Sequence, residues 1–188
     1  MGYIPIWTKN GITIRPATKD DAEAYYAQNF CPLDPDAARL TGCTESFSKE
    51  EVITFFHKSL ADESRIFFLI VAPDGRIIGE SIINEIDWRL RRANFRIAIF
   101  HPAHRDQGIG SWATEITCAY AFEKLNMHRL DLEVYSFNPR AKQVYLKSGF
   151  RQEGLLRDAV LDGDQYADVI VMAMLEEDWK NKKDKVIL

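Results

Sequence analysis

The chain predicts a mixed α and β domain in which one mixed, mostly antiparallel sheet is covered by helices on both faces. Three observations carry this reading. Short runs alternate apolar and polar residues, as at Ile12 and Ile14 and again at Leu130, Leu132 and Val134. Other runs repeat at helical spacing, as at Ile109, Trp112, Ala113, Ile116 and Ala119. Turn signals such as Pro73-Asp74-Gly75 and Asp162-Gly163-Asp164 fall between them. With 188 residues and 46% hydrophobic content, the chain suits one globular domain with a sizeable core. Residues 11–177 form its body, and 1–10 and 178–188 read as peripheral arms.

In order, a first strand covers residues 12–16. Thr18 then caps a helix with Asp20 and Asp21 in its first turn and Ala22, Tyr25 and Tyr26 behind them. Residues 30–47 hold Pro32, Pro35, Gly42, Cys31 and Cys43, and read as a long irregular connection of the kind that is often functional. Ser48 and Glu51 make a capping box for a helix carrying Val52, Phe55, Phe56 and Leu60. Residues 65–72 are a nearly continuous apolar strand, and 76–88 a longer alternating one. A basic turn at 89–93 leads to a strand at 95–100. Residues 128–135 form another strand. Asn138-Pro139 opens a helix that Gly149 closes. Two last strands, 150–159 and 166–175, bring the sheet to about seven strands.

The stretch from His101 to Trp112 carries the chemistry. A strand runs through a polar loop into a helix whose start holds Gly108 and Gly110. Without side chains there, the amides of residues 107–111 can close around an anion, and the helix dipole adds to the attraction. Arg105 stands where it can pair with a phosphate oxygen. A Walker A loop is excluded, because Ser111 follows Gly110 with no Lys between. Gly108-x-Gly110-x-x-Ala113 fits the looser dinucleotide fingerprint, but Phe100 lies too far before it and Asp131 and Glu133 fall inside the next strand. A plain glycine-rich turn stays open on these residues alone.

A net charge of −4 argues against a nucleic-acid scaffold and is compatible with a cationic substrate. Three cysteines without CxxC spacing suit a reducing, cytoplasmic setting and give no metal site. No apolar run reaches membrane length, and Ile6 stands where a myristoylation signal wants Ser or Thr.

At this point the residues resemble a known family. Arg105-x-x-Gly108-x-Gly110, with its strand and helix, resembles the acetyl-coenzyme-A motif of the GNAT superfamily of N-acetyltransferases. Asn138-x-x-Ala141-x-x-x-Tyr145-x-x-x-Gly149-Phe150 resembles that family's cofactor-contacting helix with its general-acid tyrosine. Gly154…Arg157…Gly163…Tyr166-x-Asp168…Met172 is similar to the branch holding RimJ/RimL-type and spermidine acetyltransferases. The resemblance implies two central parallel strands that splay apart, acetyl-CoA as co-substrate, and no metal. It implies that pantetheine bonds to Ala98, Ile99 and Phe100. Pyrophosphate is then expected on the amides of Arg105, Asp106, Gln107, Gly108, Ile109, Gly110 and Ser111. Asn138, Arg140, Ala141 and Tyr145 complete the cofactor set, and a homodimer is frequent in that branch.

The chemistry assigns the remaining roles. A lysine-like amine has a pKa of about 10.4, so at neutral pH well under about one molecule in a thousand is free base, and a carboxylate or water chain that removes the proton matters. Relatives place a Glu near the start of the cofactor strand, where this chain has Phe95. On the neighbouring strand, Glu85 and Asp87 share a face opposite Glu80 and Ile82, and Glu85 is the chosen base. Tyr145 is the acid for the leaving sulfur. Tyr26, Asp34, Asp87 and Trp88 are expected to shape an acceptor that is a primary amine: a polyamine, a protein N-terminus or a small amino compound. Asp36 and Glu45 add to the hint of a cation. His101, His104 and Cys118 read as loop or core residues. The different-class reading is a CoA-binding sensor that has lost catalysis.

Overall fold

A computed structural model of the chain describes residues 5–43 and 46–186, the side chains of 183–186 excepted. The strands are β1 (Trp7–Lys9), β2 (Ile12–Pro16), β3 (Ile66–Val71), β4 (Ile77–Asp87), β5 (Arg92–Ile99), β6 (Arg129–Tyr135), β7 (Arg151–Asp162) and β8 (Gln165–Leu175). The helices are α1 (Ala22–Asn29), α2 (Pro35–Thr41), α3 (Lys49–Ala61), α4 (Ile109–Ala119), α5 (Pro139–Ser148) and α6 (Glu176–Val186). The hydrogen-bonded order is β1-β2-β3-β4-β5-β6-β8-β7 in one mixed sheet. The eighth strand corrects the expected seven. It is β1, where part of the expected arm pairs with β2 from Trp7↔Ile14 to Lys9↔Ile12. The residues group into two compact units, one holding the chain up to 84 with 96–113, the other 85–95 with 114 onward.

In the first unit β2, β3 and β4 run antiparallel. All six residues of β3 are buried, so its two faces are both covered, as its unbroken apolar run requires. On one face α1 and α3 bring Tyr25, Val52 and Phe56 onto Phe67, Leu69 and Ile82. The Tyr25 ring lies 4.8 Å from Phe56, 5.2 Å from Phe30 and 6.0 Å from Phe100. Ser48 caps α3 as its capping box predicts, with the Ser48 N–H donating to Glu51 at 2.8 Å. The expected loop 30–47 contains α2, which starts on Asp34 and Pro35 and stops at Gly42, φ 75°. These are helix start and stop signals. Glu45 lies outside the described residues.

In the second unit β8 pairs with β6 and β7, both antiparallel. The parallel register of β5 and β6 covers Arg92↔Arg129 to Asn94↔Asp131, and Asn94 Nδ2 donates to the Asp131 carbonyl at 3.3 Å where it stops. β7 is the outermost strand, exposed nearly throughout, with Leu155, Leu156 and Leu161 in water. Its register with β8 shifts twice, and Asp158 (φ 52°) donates its N–H to Asp168 Oδ1 at 3.0 Å. The tail is not a peripheral arm: Trp179 of α6 is buried, stacks 5.9 Å from Phe122 and donates to Glu123. One large indole outweighs the lysines around it.

Gly79 of β4 sits so close to β5 that a Cβ there would collide with the Ala98 carbonyl oxygen. Phe100 N–H donates to the Ile78 carbonyl at 2.9 Å beside it. Gly79→Ala is therefore expected to cost about 1–3 kcal/mol as the strands are pushed apart, measured as a lower urea midpoint at unchanged slope.

Candidate functional site

In the first unit, β5 ends at Ile99 and a single 3-10 turn, Pro102–His104, leads to the loop. Asp106 (φ 61°) and Gly108 (φ 77°) are both left-handed, which turns the chain sharply before α4 begins at Ile109. A Cβ on Gly108 would meet nothing, so the glycine serves the backbone angle and not a close contact. Gly110 is inside the first helical turn, and a Cβ there would only touch Ile99 at 3.9 Å. The first-turn amides of α4 thus follow a tight left-handed turn, the arrangement that concentrates N–H donors on an anion.

The Arg105 side chain, expected on phosphate, is held here by protein acceptors. Its guanidinium is only 9% exposed. Nε donates to the Ile99 carbonyl at 3.2 Å, and one Nη donates to the Phe100 carbonyl at 3.1 Å and to Asp34 at 2.5 Å. The Arg105 N–H also turns inward, onto Pro102 at 3.0 Å. Asp34, expected at the acceptor, is held with it: its carboxylate caps α2 through the Ala37 N–H at 2.9 Å and pairs with Arg105. Burial would raise the Asp34 carboxyl, but the bonds from Arg105 and the Ala37 amide hold it below its ordinary range. Ala98 and Phe100 are buried; Gln107 is exposed and binds the Ala103 carbonyl.

The sequence placed Glu80 opposite Glu85 but gave it no role. Tyr25 donates to the Glu80 carboxylate at 2.5 Å. Burial raises the Glu80 carboxyl, against the pull of Tyr25 and Arg96. Burial and then Glu80 push the Tyr25 phenol well up. The signal was a carboxylate in phase with Ile82 on an apolar face. Tyr26 is half-buried and its hydroxyl is raised by a hydrogen bond with Cys31. Burial and Arg76 hold the His104 imidazole below its ordinary value, neutral at pH 7.

In the second unit, Glu85 is exposed and left-handed, φ 54°, an uncommon state for a residue other than glycine. Asp87, expected to meet substrate, caps the β4–β5 turn by accepting the Leu90 N–H at 2.8 Å, and Trp88 beside it is half exposed. Asn138 accepts the Ala141 N–H at 3.1 Å as the cap of α5, so its side-chain oxygen is committed to the helix. Arg140 is exposed on the first turn. Tyr145 is buried between Phe95, 6.2 Å away, and Phe150, 5.9 Å away. Burial raises its phenol, with Cys118 adding to the shift. Phe95 is therefore core, 2% exposed. Asp168 pins the hairpin to the loop before α5, accepting from Asp158 while its own N–H donates to Ser136 Oγ. Among the described residues no group of three or more His, Cys, Asp or Glu could hold a metal ion, and no helix is long and apolar enough to cross a membrane.

The family described as acetyltransferase (GNAT) domain matches residues 12–151. The spermidine N(1)-acetyltransferase of Escherichia coli (strain K12) is 31% identical over 129 residues, 69% of this chain and 68% of that protein. The crystal structure of spermidine N-acetyltransferase from Vibrio cholerae in complex with CoA and spermine superposes with a TM-score of 0.80 at 25% identity, covering 92% of this chain and 100% of the other. A dodecameric structure of the Vibrio cholerae enzyme gives a TM-score of 0.75 at 25% identity, covering 93% and 99%.

Cys118 is fully buried and burial pushes its thiol far up, whereas Cys31 is exposed. A thiol reagent is expected to label Cys31 in the native protein and Cys118 only after unfolding. Peptide mapping with and without denaturant checks this.

Proposed function

We propose, from the premise that the chain belongs to the GNAT family and is an acetyl-CoA-dependent N-acetyltransferase, that its acceptor is a small cationic primary amine of the polyamine class. A protein N-terminus and a small amino compound are the other acceptors within the same chemistry. The observation that carries the reading is the left-handed turn at Asp106 and Gly108 opening α4 within the matched region. The polyamine class rests on the names of the relatives, because Asp34 and Asp87 are committed to capping. The match runs through residues of both units, which supports reading 1–188 as one catalytic domain. Its three cysteines are free, which supports a reducing, cytoplasmic setting. Exposed Leu155, Leu156, Leu161 and Tyr166 support a homo-oligomer.

In this reading the amine nitrogen attacks the thioester carbonyl directly. A C–N bond forms, the C–S bond breaks, and the ammonium gives up two protons, one to a base and one to the departing sulfur. Pyrophosphate rests on the amides around Gly108, and pantetheine on the strand at Ala98 to Phe100. Glu85 takes the amine's proton. Backbone held in a costly conformation is characteristic of functional positions, and Glu85 is the left-handed residue of β4. Tyr145 donates to the sulfur. Its raised phenol stays protonated at neutral pH, so it acts by a hydrogen bond that strengthens as charge builds, since a full transfer to a thiolate of pKa about 8.5 runs uphill at rest.

Thiol release from acetyl-CoA against polyamines, amino acids, aminoglycosides and basic peptides tests the reading. Turnover with spermidine or spermine supports it. Silence on polyamines, with or without turnover of another class, overturns the polyamine reading. Tyr145→Phe is expected to lower kcat by about 10²-fold with acetyl-CoA affinity within about threefold, compared by steady-state kinetics and titration. Glu85→Gln is expected to lower kcat by about 10²-fold, and Glu80→Gln by less than about tenfold. The reverse order in a side-by-side assay moves the proton acceptor to Glu80.

A further inference from the structure

One guanidinium meets three pieces of the first unit. Arg105 is on the loop that follows the 3-10 turn, yet its donors go to the last two carbonyls of the β5 region and to Asp34 at the head of α2. Asp36 Oδ2 adds a looser contact, 3.6 Å from the other Nη, and is 71% exposed. The Asp34 carboxylate does two jobs at once, capping α2 and neutralising Arg105. A charge so little exposed tolerates no half-measure. Losing Asp34 leaves a little-exposed guanidinium without its carboxylate, and losing Arg105 leaves the Asp34 carboxylate to the Ala37 amide alone.

We propose that the Asp34–Arg105 pair is a positioning link that couples the phosphate-holding loop to α2, so that filling the loop with the acetyl-CoA pyrophosphate fixes α2 and the acceptor-side segment 31–43 with it. The inference rests on the reading of the loop as the pyrophosphate site. An anion on the amides around Gly108 holds the loop, and the loop's first residue then holds the Asp34 cap. Coupling of this kind is reciprocal: whatever steadies α2 tightens the loop on the cofactor. The residues act on the reaction through position, without touching the reacting atoms.

Hydrogen exchange on the full chain, free and loaded with acetyl-CoA, is the test. Asp34→Asn keeps a capping oxygen and removes the charge. In the parent chain, acetyl-CoA is expected to slow exchange at loop amides 106–112 and at α2 amides 36–42 together. In Asp34→Asn the loop is still protected, but protection of α2 by acetyl-CoA falls by at least fivefold and the Kd for acetyl-CoA rises about five- to tenfold. Asp36→Asn behaves as the parent. A merely structural cap moves the exchange of α2 equally with and without cofactor, and that result overturns the link. So does slowing of α2 by acetyl-CoA in Asp34→Asn equal to the parent's. Should Asp34→Asn not fold, Arg105→Lys carries the same comparison, since a point charge does not reproduce the three-way fork. Acetyl-CoA binding without protection of 106–112 in the parent chain instead overturns the loop reading itself.

Discussion

Arg105 sets the terms for the first unit. A guanidinium with 9% of its side chain in water needs nearly every donor matched, and the matching acceptors are two carbonyls at the end of the β5 region and a carboxylate from α2. That requirement fixes where the strand may end, where the loop may start and where the helix may cap. Gly79 adds the other boundary, since only a residue without Cβ lets β4 lie that close to the Ala98 carbonyl. The left-handed turn at Gly108 then starts from a strand end held on two sides.

Ionisable groups in the molecule divide by what surrounds them. Tyr25 and Glu80 share a hydrogen bond within the aromatic cluster of α1 and α3, and both are shifted toward their protonated forms. The pair ties α1 to β4 and so helps hold that helix on the sheet. Glu85, by contrast, is exposed on a left-handed backbone. Tyr145 is buried among phenylalanines that keep its ring in one orientation. Chemistry and architecture thus use the same residue types, separated by exposure and backbone.

Much of the fold was legible because its signals are local. The unbroken apolar run of β3, the capping box of α3, and the Asn138-Pro139 to Gly149 frame of α5 each specify one element within a few residues. Helix α2 is less legible, because proline and glycine are as typical of loops as of helix ends, although Asp34-Pro35 and Gly42 stand at its two ends. The burial of Trp179 was hidden by the lysines around it. Side-chain partners were the least legible. Asp34 lies 71 residues from Arg105, and Tyr25 lies 55 from Glu80. A motif names Arg105 but says nothing of a carboxylate so distant along the chain.

The outer strand of the second unit has a different consequence. A long, flat, apolar edge offers a regular row of backbone donors and acceptors on which foreign strands can grow. β7 carries exposed leucines, but its register breaks between Gln152 and Gly154 and again between Leu156 and Val160, with Asp158 left-handed in the second break. No stretch between the breaks is long enough to template an added strand in register. The same irregularity that anchors the hairpin to the loop before α5 makes this edge a poor template for foreign strands.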